Sequence, residues 1–146
     1  MNDRIGIFGG IFALLVFWHF VVDWLFQSHD EAMRKSTDPY VRAIHCAIYT
    51  GGFAPVIGYL GLSFWESMLC GVVLFVSHFI EDTYIPVLLW VKHVRRPPEF
   101  SNGELSDKEA FVRWASTPLG KVIAIVVDQL VHVAFLMPMA YFATNR

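Results

Sequence analysis

The chain has 146 residues, enough for one domain, and 55% of them are hydrophobic and 16% aromatic. With a mean hydropathy of +0.49, it is too apolar for an ordinary soluble domain and points to a membrane protein. A net charge of -2 gives no basis for nucleic-acid binding, and two cysteines, Cys46 and Cys70, both in apolar runs, suggest free thiols rather than a disulfide framework.

Crossing a bilayer takes about 20 apolar residues, and four segments meet that length. The first covers residues 5–26. Arg4 precedes it in the manner of a signal peptide, but no small-residue cleavage site follows a short apolar core, so it reads as a retained helix. The second covers 41–62, opened by the Asp38–Pro39 cap. Gly51, Gly52, Pro55, Gly58 and Gly61 predict a kink and close packing there. The third covers 64–89, with a capping box from Ser63 to Glu66 and a bend or end near Pro86. It follows the second so closely that the two form a hairpin. The fourth covers 119–143, after Thr117 and Pro118 repeat the cap-then-proline pattern. The polar connection 92–118 contains a short amphipathic helix, capped by Ser106 with Glu109 and carrying Ala110, Phe111 and Trp114 at helical spacing, suited to a membrane surface. The expected fold is all-α: a single polytopic domain over 1–146, four transmembrane helices plus one short amphipathic cytoplasmic helix.

Nine of the eleven Lys and Arg residues fall in or beside the first and third connections. The positive-inside rule then places those connections in the cytoplasm, both termini outside, and the chain in a plasma membrane, bacterial inner membrane being the expected case.

Within these apolar segments lie residues that do not belong in oil. His19 and Asp23 are four apart and share a helix face. His78 and Asp82 repeat the spacing, Asp128 and His132 reverse it, and the second segment adds His45. Under the expected orientation all seven converge on one layer of the cytoplasmic half. Each carboxylate in hydrocarbon costs on the order of 2.5–3.5 kcal/mol, and a shared divalent cation would offset that, because imidazole and carboxylate are good ligands for zinc, iron or manganese. One histidine alone is more often packed or hydrogen-bonded than a ligand, and Asp–His pairs also serve as neutral couples or proton paths. Three pairs at matched depth favour metal, with seven ligands enough for one or two ions. Glu81, about 100° from Asp82, fits a supporting or general-base role, and His45 is either ligand or acid/base. Gln27 and His29 read as interfacial caps, and Gln129 adjoins Asp128. Lys35, Lys92, Arg95 and Arg96 rim the cytoplasmic mouth, where they satisfy topology or hold an anionic group.

These residues resemble a family of small four-helix membrane proteins of bacteria and their phages, loosely grouped with membrane-bound metal-dependent hydrolases. The shared pattern is His19, Asp23 and Gln27, then His45, then His78, Phe79 and Asp82, and finally Asp128, Gln129 and His132. The likeness spans nearly the whole chain. The family's lysine soon after the helix-three aspartate is deferred here to Lys92. The resemblance implies hydrolysis without implying a substrate.

Three functions follow as expectations. The first is a metal-dependent hydrolase whose activated water attacks a lipid or lipid-linked substrate at the cytoplasmic leaflet. The second is a divalent-metal transporter, since H-x-x-x-D pairs resemble the sites of cation diffusion facilitators; four helices would then need a homo-oligomer, which the glycines of the second segment could support. The third is a metal-stabilised regulatory membrane protein such as a phage exclusion factor.

Overall fold

A computed structural model describes residues 2–101 and 103–146; Met1 and Asn102, which the expected domain and loop include, lie outside the described residues. No strand occurs among the described residues, and the chain is all-α. Helix α1 spans Asn2–Phe20 and runs on through a wider π-turn, Val21–Leu25. A short α2, His29–Arg34, was not expected; Ser28 and Glu31 build the reciprocal capping box that starts it. Next come α3, Pro39–Gly52, and α4, Ala54–Tyr59. Helix α5 spans Phe64–Glu81, and α6 spans Ile85–Trp90 before a second π-turn, Val91–Arg95. A 3₁₀ turn at Pro98–Phe100 leads to α7, Asp107–Ala115, and the chain closes with α8, Pro118–Thr144.

Among the described residues three helices, not the expected four, are long and apolar enough to cross a membrane: Asp3–Leu25, Phe64–Glu81 and Pro118–Thr144. The expected second span is broken at Phe53. Pro55 has no N–H to offer the carbonyl four residues back, at Gly51, and its ring crowds that carbonyl, so the chain restarts as α4. The expected third span ends at Glu81, well short of residue 89, for the same reason: Pro86 would clash with the carbonyl of Asp82, which instead caps α5. The fourth was foreseen to within a residue at each end.

The local signals form as expected. Ser63 and Ser106 make capping boxes with Glu66 and Glu109, Asp38 caps α3, and the Thr117 hydroxyl accepts from the Gly120 amide. Gly61 takes a left-handed conformation (φ 64°) and turns α4 back into α5.

Helix α1 packs along α8, and α3 along α5, with α5 closing against α8. One end of this bundle gathers the termini and the α4–α5 turn. Arg146 donates to the carbonyls of Leu60 and Gly61, and Arg4 meets Asn145. The core at this end includes Leu15, Phe53, Leu74 and Leu136. At the other end α6 and α7 cover α8 through Val87, Val91, Trp114 and Val127; α7 thus buries its apolar face against protein. Phe17, Trp24, Leu69, Val73, Ile125 and Phe135 point outward from the three long helices. Apolar exposure on that scale suits lipid and not water.

Candidate metal centre

The polar interior lies where α1 and α5 end. Asp23 sits in the π-turn that finishes α1; a widened turn of this kind recurs at functional sites. The turn is held by two contacts with α3. The Trp18 indole N–H donates to the Gly52 carbonyl at 2.7 Å, one of the last carbonyls of α3. Val22 presses so closely on Gly52 that a Cβ there would lie 2.5 Å from a valine methyl. His45 comes from α3, His78 from the last turn of α5, and Asp82 from its C-cap. Stopping the helix at Glu81 lets both neighbouring carboxylates enter the bundle: Glu81 and Asp82 are each more than nine-tenths buried.

Four atoms form a cage: Asp23 Oδ1, His45 Nε2, His78 Nε2 and Asp82 Oδ2. His45 Nε2 is 3.1 Å from Asp23 Oδ1, 3.0 Å from His78 Nε2 and 3.4 Å from Asp82 Oδ2. His78 Nε2 is 3.5 Å from Asp23 Oδ1 and 3.4 Å from Asp82 Oδ2. A tetrahedral ion with bonds of about 2.1 Å needs its ligand atoms about 3.4 Å apart, and the edges of this cage that include a histidine fall close to that length. Buried histidines and aspartates here could hold a metal ion; Asp23, His45 and His78 form one such group, and His78, Asp82 and His132 a second.

Lys35, expected at the rim, reaches into the cage. Its ammonium forms an ion pair with Asp82 Oδ1 at 2.8 Å, donates to Asp23 Oδ1 at 3.4 Å, and lies 3.3 Å from His45 Nε2. Burial alone would lower its pKa, but the carboxylates of Asp82 and Asp23 outweigh burial and hold it above the ordinary lysine value, so the group stays charged. The hairpin through α2 folds it back, a path that nothing at position 35 announces.

The other candidates stand around this cage. His132 Nδ1 lies 2.8 Å from the Asp128 backbone oxygen, which only accepts, so Nδ1 carries the hydrogen. Nε2 then faces Asp82 Oδ1 at 3.5 Å and Glu81 Oε2 at 3.6 Å. The Asp128 carboxylate is 3.9 Å from the outer nitrogen of His132 and nearly one-third exposed. It holds the ring from behind rather than joining the cage. His19 lies 3.9 Å from Asp23 Oδ2, and both its nitrogens are engaged: Nδ1 is 3.0 Å from the Tyr49 hydroxyl and Nε2 is 3.1 Å from Gln129 Oε1. Gln129 in turn donates to Asp128. Tyr49, unremarked in the sequence, also stacks flat on His78 at 3.7 Å between ring centres. Gln27 lies 3.5 Å from the outer nitrogen of His45. Cys46 is a buried free thiol with no place in the cage.

A groove of about 490 Å³ leads in from the surface between the α2–α3 connection, α6, α7 and α8, with Asp82, Lys35 and Asp128 along it, Lys121 at its edge, and apolar walls that include Val87 and Phe111.

Bundle and site together define a helical protein of apolar outer surface with a buried histidine–carboxylate cluster suited to a metal ion. The chain belongs to the family described as protein of unknown function (DUF3307), whose model matches residues 11–146. That membership brings no activity with it. No curated protein and no solved structure matches the chain.

Proposed function

We propose that this protein is a membrane-embedded, metal-dependent hydrolase acting on a lipid or lipid-linked substrate at the cytoplasmic leaflet. The observation that carries the reading is the cage of Asp23, His45, His78 and Asp82, whose edges of 3.0–3.5 Å match a tetrahedral ion. Two imidazoles with two carboxylates favour zinc, with iron or manganese as alternatives. Without a cation, the buried Asp23 and Asp82 carboxylates would share the single Lys35 ammonium beside His45 and His78, a costly arrangement in an apolar interior. A broken fourth span, α3 with α4, completes the membrane domain, and the basic connections face the cytoplasm.

A cation held by these residues would supply Lewis acidity and lower the pKa of a nearby water. The chain does the rest. Glu81 Oε1 is buried with no hydrogen-bond partner, and it takes the proton as the water oxygen bonds to the ester carbon or phosphorus. The bond to the leaving oxygen breaks, and Glu81 returns the proton to that oxygen. The groove admits an acyl or prenyl chain along its apolar walls, and Lys35 and Lys121 attract an anionic headgroup. The Gln27 amide nitrogen lies 3.5 Å from His45 Nδ1 and steadies that ring from outside the cage.

A second reading has its own support. Four protein corners close a tetrahedral site, as in structural metal centres, which suits a metal-stabilised regulatory protein. Transport would require access from both sides of the membrane, and the described groove reaches the cage from one. The test is metal-restored protein in detergent, presented with a panel of lipid esters and lipid-linked phosphates. Metal-dependent product release, lost in Asp82→Ala and in Glu81→Gln, is expected. A folded, metal-loaded protein that releases nothing from the panel would leave the structural role standing instead.

A further inference from the structure

The cage accounts for one oxygen of Asp82 and leaves three neighbouring groups unexplained. His132 Nε2, Glu81 Oε1 and both Asp82 oxygens are buried without a hydrogen-bond partner. Nδ1 of His132 carries a hydrogen, and in its neutral form the ring turns a lone pair at Nε2 toward two carboxylate oxygens, Asp82 Oδ1 and Glu81 Oε2, at 3.5 and 3.6 Å. Of these three atoms the Lys35 ammonium reaches Asp82 Oδ1, and a cation among them would relieve the repulsion that remains in a dry interior. Both distances to His132 suit ligands about 2.1 Å from a common ion.

We infer a second cation position, held by Asp82 Oδ1, His132 Nε2 and Glu81 Oε2, with Asp82 bridging it to the cage. This rests on the metal-site reading above and deepens it. A filled four-cornered cage has no free tetrahedral position, whereas three protein ligands leave one open for water and substrate. Glu81 binds through Oε2 and keeps Oε1 for the proton. Lys35, 2.8 Å from Asp82 Oδ1, uses a second lone pair of the bridging oxygen.

The charge count indicates the substrate class. With Asp23, Glu81, Asp82 and Asp128 ionised, the four negative charges exceed the Lys35 ammonium by three. Two divalent cations turn that into one net positive charge, the complement of a phosphodiester monoanion. Paired cations also stabilise both the attacking and the leaving oxygen of an in-line phosphoryl displacement. The substrate is therefore a phosphodiester carried on an apolar chain. Water oxygen bonds to phosphorus, the bond from phosphorus to one ester oxygen breaks, and the proton passes through Glu81 to that oxygen.

The experiment loads chelator-stripped, detergent-purified full chain with Mn²⁺ alone, counts bound manganese per chain, and records its low-temperature EPR spectrum. Two ions per chain with an exchange-coupled spectrum are expected. His132→Gln and Glu81→Gln should each fall to one ion with an uncoupled six-line spectrum, with folding checked by helical circular dichroism and elution volume. One magnetically isolated ion in the unaltered chain would overturn the second position and leave the cage intact. No ion at all would remove both.

Discussion

Replacing Lys35 by methionine separates the roles of ammonium and metal. The side chain lies between Asp23 and Asp82 with 15% of its surface exposed. In the metal-free protein its removal leaves Asp23 and Asp82 buried with no ammonium beside them. Breaking a buried pair costs about 3–5 kcal/mol, and the residual exposure of Lys35 places it at the low end, about 3 kcal/mol. In the loaded protein the cation already neutralises both carboxylates, so the same change costs little. The two states are linked by a thermodynamic cycle, so the difference appears as affinity. At about 1.4 kcal/mol per power of ten, Lys35→Met should bind the cation about a hundredfold more tightly. Thermal unfolding in detergent with and without Zn²⁺, combined with metal titration, measures both sides. Equal destabilisation in the two states, or weaker binding, would refute the placement of the ammonium among the cage ligands.

Other outcomes follow from single contacts. Gly52→Ala forces a methyl into Val22 and should destabilise the chain by about 1–3 kcal/mol, read in thermal unfolding; because it disturbs the turn that carries Asp23, cation binding should weaken with it. His19→Gln removes the ring between Tyr49 and Gln129 but no corner of the cage, so the variant should keep its cation in elemental analysis. Ser106→Ala loses the α7 cap, about 1 kcal/mol in unfolding, and should leave metal content unchanged. Chelation of the loaded protein should lower the unfolding temperature with the logarithm of free-ion concentration, with about 2.7 kcal/mol lost from a starting point of one hundred times Kd.

The helices whose limits depend on local chemistry were legible beforehand. Ser63, Ser106 and Thr117 announce the starts of α5, α7 and α8, and apolar length alone marks α1, α5 and α8. What was not legible depends on how proline and tertiary packing divide the cost of a break. Pro55 and Pro86 signal disruption, but whether a helix bends or stops is decided by whether its freed carbonyls find partners, such as Trp18 on Gly52. Spacing of four brought His78 and Asp82 together as expected. The same spacing did not separate His19 from Asp23, because the neighbours that occupy His19, Tyr49 and Gln129, come from other helices. Lys35 enters the cage through a turn whose path depends on α2, and no periodicity reports that.

The most direct test is X-ray absorption at the zinc edge on the loaded chain. A shell of nitrogen and oxygen at about 2.0–2.1 Å is expected, with scattering from two to three imidazoles and no sulfur. A sulfur shell near 2.3 Å, or oxygen ligands without imidazole, would contradict the assignment of the buried histidines and aspartates as the metal centre.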